Sequence, residues 1–320
     1  MKTLLSIRHK QKDISGIKTF INEIISNRYM YLLALPGILF FFVFSYLPMF
    51  GIIIAFQEFN PFKGISGSKF VGWRNFEFFF TSLDWGKVTF NTVYLNALFI
   101  ITGILSSMMI AVMLSEIGNI YFKKTAQSFI ILPHFISWTV VAMFSVTLIS
   151  SDSGLINSWL KGMGMESVSF YQDAGIWPSI LILIKIWKGA GYNSIIFLAV
   201  IAGIDVGMYE AAKLDGARKL QCIFHITLPM LKTTAILVTL LGVGNIFHGD
   251  FGMIYPLVGD NSLLYPTTDV IDTFVYRSLR NLGDMGMASA VGLYQSVVGF
   301  VLVFTVNGIV KKIDSESAIF

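Results

Sequence analysis

Apolar residues in this chain gather into long runs separated by short charged segments. Nearly uncharged stretches occupy 32–56, 91–115, 125–151, 176–204 (with two lysines inside), 233–247 and 285–310. Crossing about 30 Å of hydrocarbon takes about 20 helical residues, so most of these runs are long enough. The stretch 233–247 is short unless it continues past His248. Inside lipid only helices or closed barrels satisfy every backbone group, and no alternation of period two points to a barrel. The pattern therefore predicts an all-α integral membrane protein with six transmembrane helices.

Composition agrees. Of 320 residues, 55% are hydrophobic and 13% charged, against about 25% charged in soluble domains, and the mean hydropathy is +0.70. The first 28 residues carry Lys2, Arg8, Lys10, Lys12, Lys18 and Arg28 with no apolar core among them, unlike a cleavable signal peptide. The segment 16–25 suits either a short surface helix, with Ile17, Phe20, Ile21 and Ile24 at helical spacing, or a disordered basic tail.

With the N-terminus inside, fourteen basic residues are cytoplasmic: those six plus Lys123, Lys124, Lys213, Arg218, Lys219, Lys232, Lys311 and Lys312. The outer loops hold seven: Lys63, Lys69, Arg74, Lys87, Lys161, Arg277 and Arg280. The excess of lysine and arginine inside predicts cytoplasmic termini and a cytoplasmic loop around Glu210. The net charge of +4 is explained by orientation and calls for no nucleic acid. A single cysteine, Cys222, excludes an internal disulfide, and the four histidines lie in separate segments, so no metal is expected.

The outer segments are 57–90, 152–175 and 248–284, with interfacial helices expected near Trp73 and over 270–278. The expected organisation is a basic cytoplasmic segment 1–28, a membrane domain 29–310 with a polar loop at 205–231, and a cytoplasmic tail 311–320.

That loop is the chain's most unusual feature. Glu210, Ala211, Ala212, Lys213, Leu214, Asp215, Gly216 and Ala217 form a charged, small-residue segment between two apolar runs. Asp205 or Gly207 can start a helix, and small side chains let another backbone approach closely. Gly216 permits a bend. Phe224, Ile226, Leu228 and Leu231 are expected to supply apolar anchors, and Pro229 to end one helix and aim the next into the membrane. A short amphipathic surface helix with no partner is the plainer alternative.

Glu-Ala-Ala-x-x-Asp-Gly-Ala at 210–217, followed by Ile-x-Leu-Pro at 226–229, resembles the signature loop of permease subunits in binding-protein-dependent ABC importers. The N-terminal part, from Leu35-Pro36-Gly37 to Phe70-Val71-Gly72, is similar to the carbohydrate branch, in particular its polysaccharide and complex-oligosaccharide permeases. The resemblance implies the type I importer transmembrane fold and a second homologous permease. It also implies a cytoplasmic ATPase dimer that receives a coupling helix at about 208–219, and an extracytoplasmic solute-binding protein that delivers a saccharide. Glu210, Ala211, Ala212, Asp215, Gly216, Ala217, Leu228 and Pro229 would couple to the ATPase, with Glu210 in polar contact. ATP and Mg would bind the partner. This chain has no G-x-x-x-x-G-K-[ST] loop and is expected to be no enzyme.

Transporter substrates sit near mid-membrane, where polar groups are otherwise costly. Lys185, Lys188 and Tyr192 share one face of the fourth apolar run, with Asn193 beside it. Lys188 lies roughly 18 Å from the start of that run at 1.5 Å per residue, so its ammonium should face a wet cavity or a carboxylate. Gly189 and Gly191 are expected to loosen the helix there. Asn245, His248 and Asp250 at the outer end of the fifth run, and Tyr294 and Gln295 on the sixth, complete the candidate saccharide face. The lysines favour an acidic saccharide such as a uronate, and pairing of Lys188 with a partner permease is the structural alternative. A secondary transporter should show carboxylates within its apolar runs, and none is there. An intramembrane hydrolase lacks its nucleophile and base. A permease for amino acids or phosphate esters remains the nearer rival.

Overall fold

The computed structural model describes residues 23, 25–82, 84–151 and 154–313. The expected surface helix at 16–25 falls almost wholly outside them, as does most of the C-terminal tail. Among the described residues, five helical runs are long and apolar enough to cross a membrane, and a sixth is counted if one sharply bent pair is a single span.

The first run starts as α1 (Arg28–Phe41), widens into a π turn (Phe42–Tyr46) and tightens into a 3-10 stretch (Leu47–Phe56). A two-stranded antiparallel ribbon follows, β1 (Gln57–Glu58) pairing with β2 (Lys69–Phe70), and then the expected short aromatic helix α2 (Arg74–Thr81). Asn75 donates from Nδ2 to the carbonyls of Ala55 and Gln57, both at 2.9 Å, which fixes this outer segment to the end of the first run.

Two long helices form the frame: α3 (Trp85–Ser115) and α7 (Trp177–Ala202). The third apolar run is not the straight helix expected over 125–151. It consists of α4 (Ile120–Ile131), a 3-10 turn (Leu132–Phe135) and α5 (Trp138–Ile149), bent by 97°. Pro133 cannot donate a backbone hydrogen bond at the turn, Ile136 is extended, and Ser137 caps α5 by accepting the Val140 N–H at 3.3 Å. A short outer helix, α6 (Leu155–Gly162), leads towards α7.

Beyond α7 come the loop helix α8 (Val206–Leu214) and the run α9 (Lys219–Gly244). The fifth span gains its length at its N-terminal end, not past His248. Pro229 does not end a helix. A π turn (Ile223–Thr227) precedes it, and the wider turn carries the chain past the missing N–H without a stop. The first run uses the same device, since Pro48 also follows a π turn by two residues.

The outer segment 248–284 is not all outside the core. It forms α10 (Phe251–Val258) and α11 (Ile271–Leu282) before the final span α12 (Met285–Ile313). Met253, Ile254, Leu257 and Val258 of α10 are buried with Leu95 and Phe99 of α3, Ala142 of α5, and Trp177 and Leu181 of α7. Eight apolar residues are too few to span but enough to fill a core. A second cluster joins Phe79, Val88, Ile271, Met287 and Val291, and a third at the other end joins Ala111, Phe197 and Leu231.

Candidate functional sites

The loop after α7 is built from local rules. Asp205 caps α8 by accepting the Gly207 N–H at 2.9 Å. The helix stops at Leu214, so the expected continuous helix over 208–219 is interrupted. Gly216 takes φ +83°, the Gly216 N–H donates to the Lys213 carbonyl at 3.0 Å, and the Ala217 N–H donates to the Ala212 carbonyl at 2.9 Å. These two bonds are the Schellman stop, which places a left-handed residue one position past the helix. The Asp215-Gly216-Ala217 segment is therefore a helix terminator. The Arg218 N–H then donates to Gln221 Oε1 at 2.7 Å and α9 begins.

One bond ties α8 to α9, and an ion pair just beyond it ties the start of α9 to α3. The Tyr209 hydroxyl bonds Thr227 Oγ1 at 2.9 Å, and Lys219 pairs with Glu116 at the end of α3 at 3.4 Å. Glu210 and Ala211 are exposed and Ala212 and Ala217 half-buried. Leu214 is 90% exposed, and Leu220 and Phe224 are also open. Leu228 is half-buried and Pro229 exposed. A capped helix offering a carboxylate, small residues and bare apolar side chains is shaped to receive another protein.

The second candidate site centres on the bend between α4 and α5. Lys185 of α7 forms an ion pair with Asp250, the N-cap residue of α10. Their side chains are 35% and 26% exposed. Asp250 also accepts the Met253 N–H through Oδ1 at 3.2 Å. Lys188, buried, donates to the His134 carbonyl in the bend at 2.6 Å. The Lys188 ammonium lies 5.0 Å from the centre of the Trp138 ring, and that of Lys185 lies 5.8 Å from it. The Tyr192 ring stacks on His134 at 4.0 Å. Helices α4 and α7 touch closely at Gly191, where a Cβ would collide with the Ile130 carbonyl. The glycines do not loosen α7, which is continuous; Gly191 serves close packing.

The remaining predicted residues lie elsewhere. Asn193 is exposed beside a cavity of about 180 Å³ between α3, α7 and α9, lined also by Phe99, Gly103, Ser107 and Gly242. Asn245 and His248 are exposed at the turn after α9. Tyr294 packs its ring against Phe79, Phe80 and Phe247. Gln295 is buried and donates to the Phe247 carbonyl at 2.7 Å and to Asp272 at 3.0 Å. Tyr294 and Gln295 thus hold the fold together around Asp272. Burial pushes the Asp272 carboxyl up from its ordinary value, opposed by hydrogen bonds from the Gly249 N–H and Gln295 and by nearby His248.

Sequence reasoning placed Asp250 among the candidate saccharide contacts but missed its pairing with Lys185, 65 residues away, and the roles of His134 and Trp138. The only local signals were Pro133 and the Ser137 cap, which mark the bend. Among the described residues no cluster of metal-ligating side chains is found.

A family model described as the inner membrane component of binding-protein-dependent transport systems matches residues 103–315. Protein LplB of Bacillus subtilis (strain 168) is 36% identical over 290 residues, 91% of each chain. The polygalacturonan/rhamnogalacturonan transport system permease protein YteP of the same organism is 36% identical over 299 residues, 93% of this chain and 92% of its own. A chain in the crystal structure of a bacterial alginate ABC transporter, in complex with an alginate pentasaccharide-bound periplasmic protein, matches with a TM-score of 0.82. It is 32% identical, and the match covers 91% of this chain and 97% of that one.

Proposed function

This chain belongs to the family of inner membrane components of binding-protein-dependent transport systems, and from that we propose that it is one permease of an ATP-driven saccharide importer. The single observation that carries the coupling role is the geometry of α8: capped by Asp205, stopped at Gly216, tied to α9 through Tyr209 and bare on its outer face. A cytoplasmic ATPase seats there, with Glu210 making a polar contact and Leu214 an apolar one. ATP and Mg bind that partner, and this chain carries no catalytic group of its own. A second homologous permease completes the passage, and an extracytoplasmic binding protein delivers the cargo. Both termini lie in the cytoplasm in this reading, which the excess of lysine and arginine on that side supports.

The cargo is an acidic oligosaccharide. Relatives named for polygalacturonan and alginate support that class, and the two lysines facing Trp138 are its counterpart in this chain. The test is ATPase activity of the co-purified complex with and without saccharide-loaded binding protein, in wild type and Glu210→Lys. Stimulation in wild type that disappears in the variant, with poorer assembly, is the expected result. A variant indistinguishable from wild type overturns the coupling role of α8.

A further inference from the structure

The charges at the bend between α4 and α5 do not balance. Lys185 pairs with Asp250, whereas Lys188 makes no ion pair among the described residues and is held by the His134 carbonyl and the face of Trp138. Two ammonium groups and one carboxylate leave one positive charge among apolar helices, where an unmatched charge is costly. Both members of the Lys185–Asp250 pair are partly open, and Phe99 and Trp138 wall it at 5.5 and 5.8 Å from the ammonium. Asp250 has a second bond, accepting the Met253 N–H at the start of α10. If Lys185 turned to another anion, the Asp250 carboxylate would keep a partner and α10 its cap.

We propose that the Lys185–Asp250 pair is a carboxylate-exchange site, in which Asp250 holds the place of a uronate carboxylate that takes over Lys185 as the saccharide passes. The inference rests on the acidic-saccharide reading above and adds the site and its resting counter-ion. Asp250 keeps Lys185 neutralised when no cargo is present. The arriving carboxylate replaces one oxyanion by another, so the lysine is never bare. Lys188, three residues further along α7, supplies the excess charge that draws the cargo carboxylate in. The sugar ring meets the half-buried Trp138, an aromatic wall suited to the apolar face of a pyranose. No covalent step is involved, and discrimination against a neutral sugar arises because only an anion can displace Asp250.

The pair gives different signatures if it is exchanged or merely structural. The complete complex in proteoliposomes, with its binding protein, is assayed for uptake of trigalacturonate and of the methyl ester of trigalacturonate. The variants are Lys185→Gln, Asp250→Asn and the two combined; asparagine still accepts the Met253 N–H, so α10 stays capped. Exchange predicts that Lys185→Gln lowers trigalacturonate uptake about tenfold or more, as loss of one partner of a close charge pair does. Asp250→Asn keeps or raises uptake, and the combined variant stays low with normal assembly.

If Asp250→Asn is as impaired as Lys185→Gln and the combination restores uptake, the pair is an internal brace and the proposal falls. Uptake of the ester by wild type as fast as the acid also overturns it. Failure of the importer reading is distinguishable, because loaded binding protein would then leave wild-type ATPase activity unstimulated.

Discussion

Replacing Gly216 tests how far the proposed coupling role of α8 depends on its stop. Gly216 sits at φ +83°, and a Cβ built there meets nothing within 4 Å. The cost of a side chain is therefore conformational and not steric crowding by neighbours. Placing an ordinary L-residue in the left-handed region costs about 1–2 kcal/mol, which Gly216→Ala must meet in full. Asparagine tolerates that region better, and a β-branched residue tolerates it worst. The bonds at risk are Gly216 N–H to Lys213 and Ala217 N–H to Ala212, which together end α8 and aim the chain into α9.

No buried contact is lost, so the membrane bundle should assemble in every variant. The population of the docking-ready loop should fall by about five- to thirtyfold for 1–2 kcal/mol. Binding-protein-stimulated ATPase activity of the purified complex, titrated with ATPase subunit, should rank wild type above Gly216→Asn, then Gly216→Ala, then Gly216→Val. Equal activity for Gly216→Ala and wild type, or for Gly216→Asn and Gly216→Val, would refute the reasoning.

Two further outcomes follow from the same coordinates. Gly191→Ala drives a methyl group into the Ile130 backbone, which cannot swing aside as a side chain can; overpacking of this kind costs about 1–3 kcal/mol. The thermal unfolding midpoint of the complex should drop, and an unchanged midpoint would mean that α4 does not pack on α7 as described. Asp272 holds its proton to a higher pH in the folded chain than its ordinary 3.8. The folded state therefore binds more protons between those two values, and stability falls as pH rises through them. Asp272→Asn should flatten that slope in unfolding midpoints measured against pH, and an identical slope would exclude Asp272 as its source.

What was legible in the sequence was whatever local rules decide. Lengths of apolar runs placed α3, α7 and α12 to within a few residues, because hydrocarbon thickness acts on each helix separately. The Asp205 cap and the Gly216 bend could be read from single residues, since capping is a property of a few consecutive positions. The Gly216 stop inside the expected 208–219 helix was a matter of the same chemistry carried one step further. Pro229 misled, because a proline reads as a stop while a π turn two residues earlier absorbs it. The burial of α10 was invisible for another reason. Eight apolar residues between polar ones look like an outer loop until α3, α5 and α7 close around them.

The candidate saccharide site divides along the same line. Helical spacing grouped Lys185, Lys188 and Tyr192 on one face; Lys185 meets a carboxylate, whereas Lys188, expected to face a wet cavity or a carboxylate, meets the backbone carbonyl of His134. Spacing says nothing about what lies opposite. Asp250 comes from beyond α9, and His134 from a bend that apolar content alone hides. Tyr294 and Gln295, chosen because they are polar in an apolar helix, instead bind Phe247 and Asp272 within the fold. A polar residue in a membrane helix signals a partner without revealing whether that partner is cargo or chain. The Lys185–Asp250 pair makes the distinction physical: the same carboxylate that completes the fold at rest is chemically equivalent to one a uronate would bring.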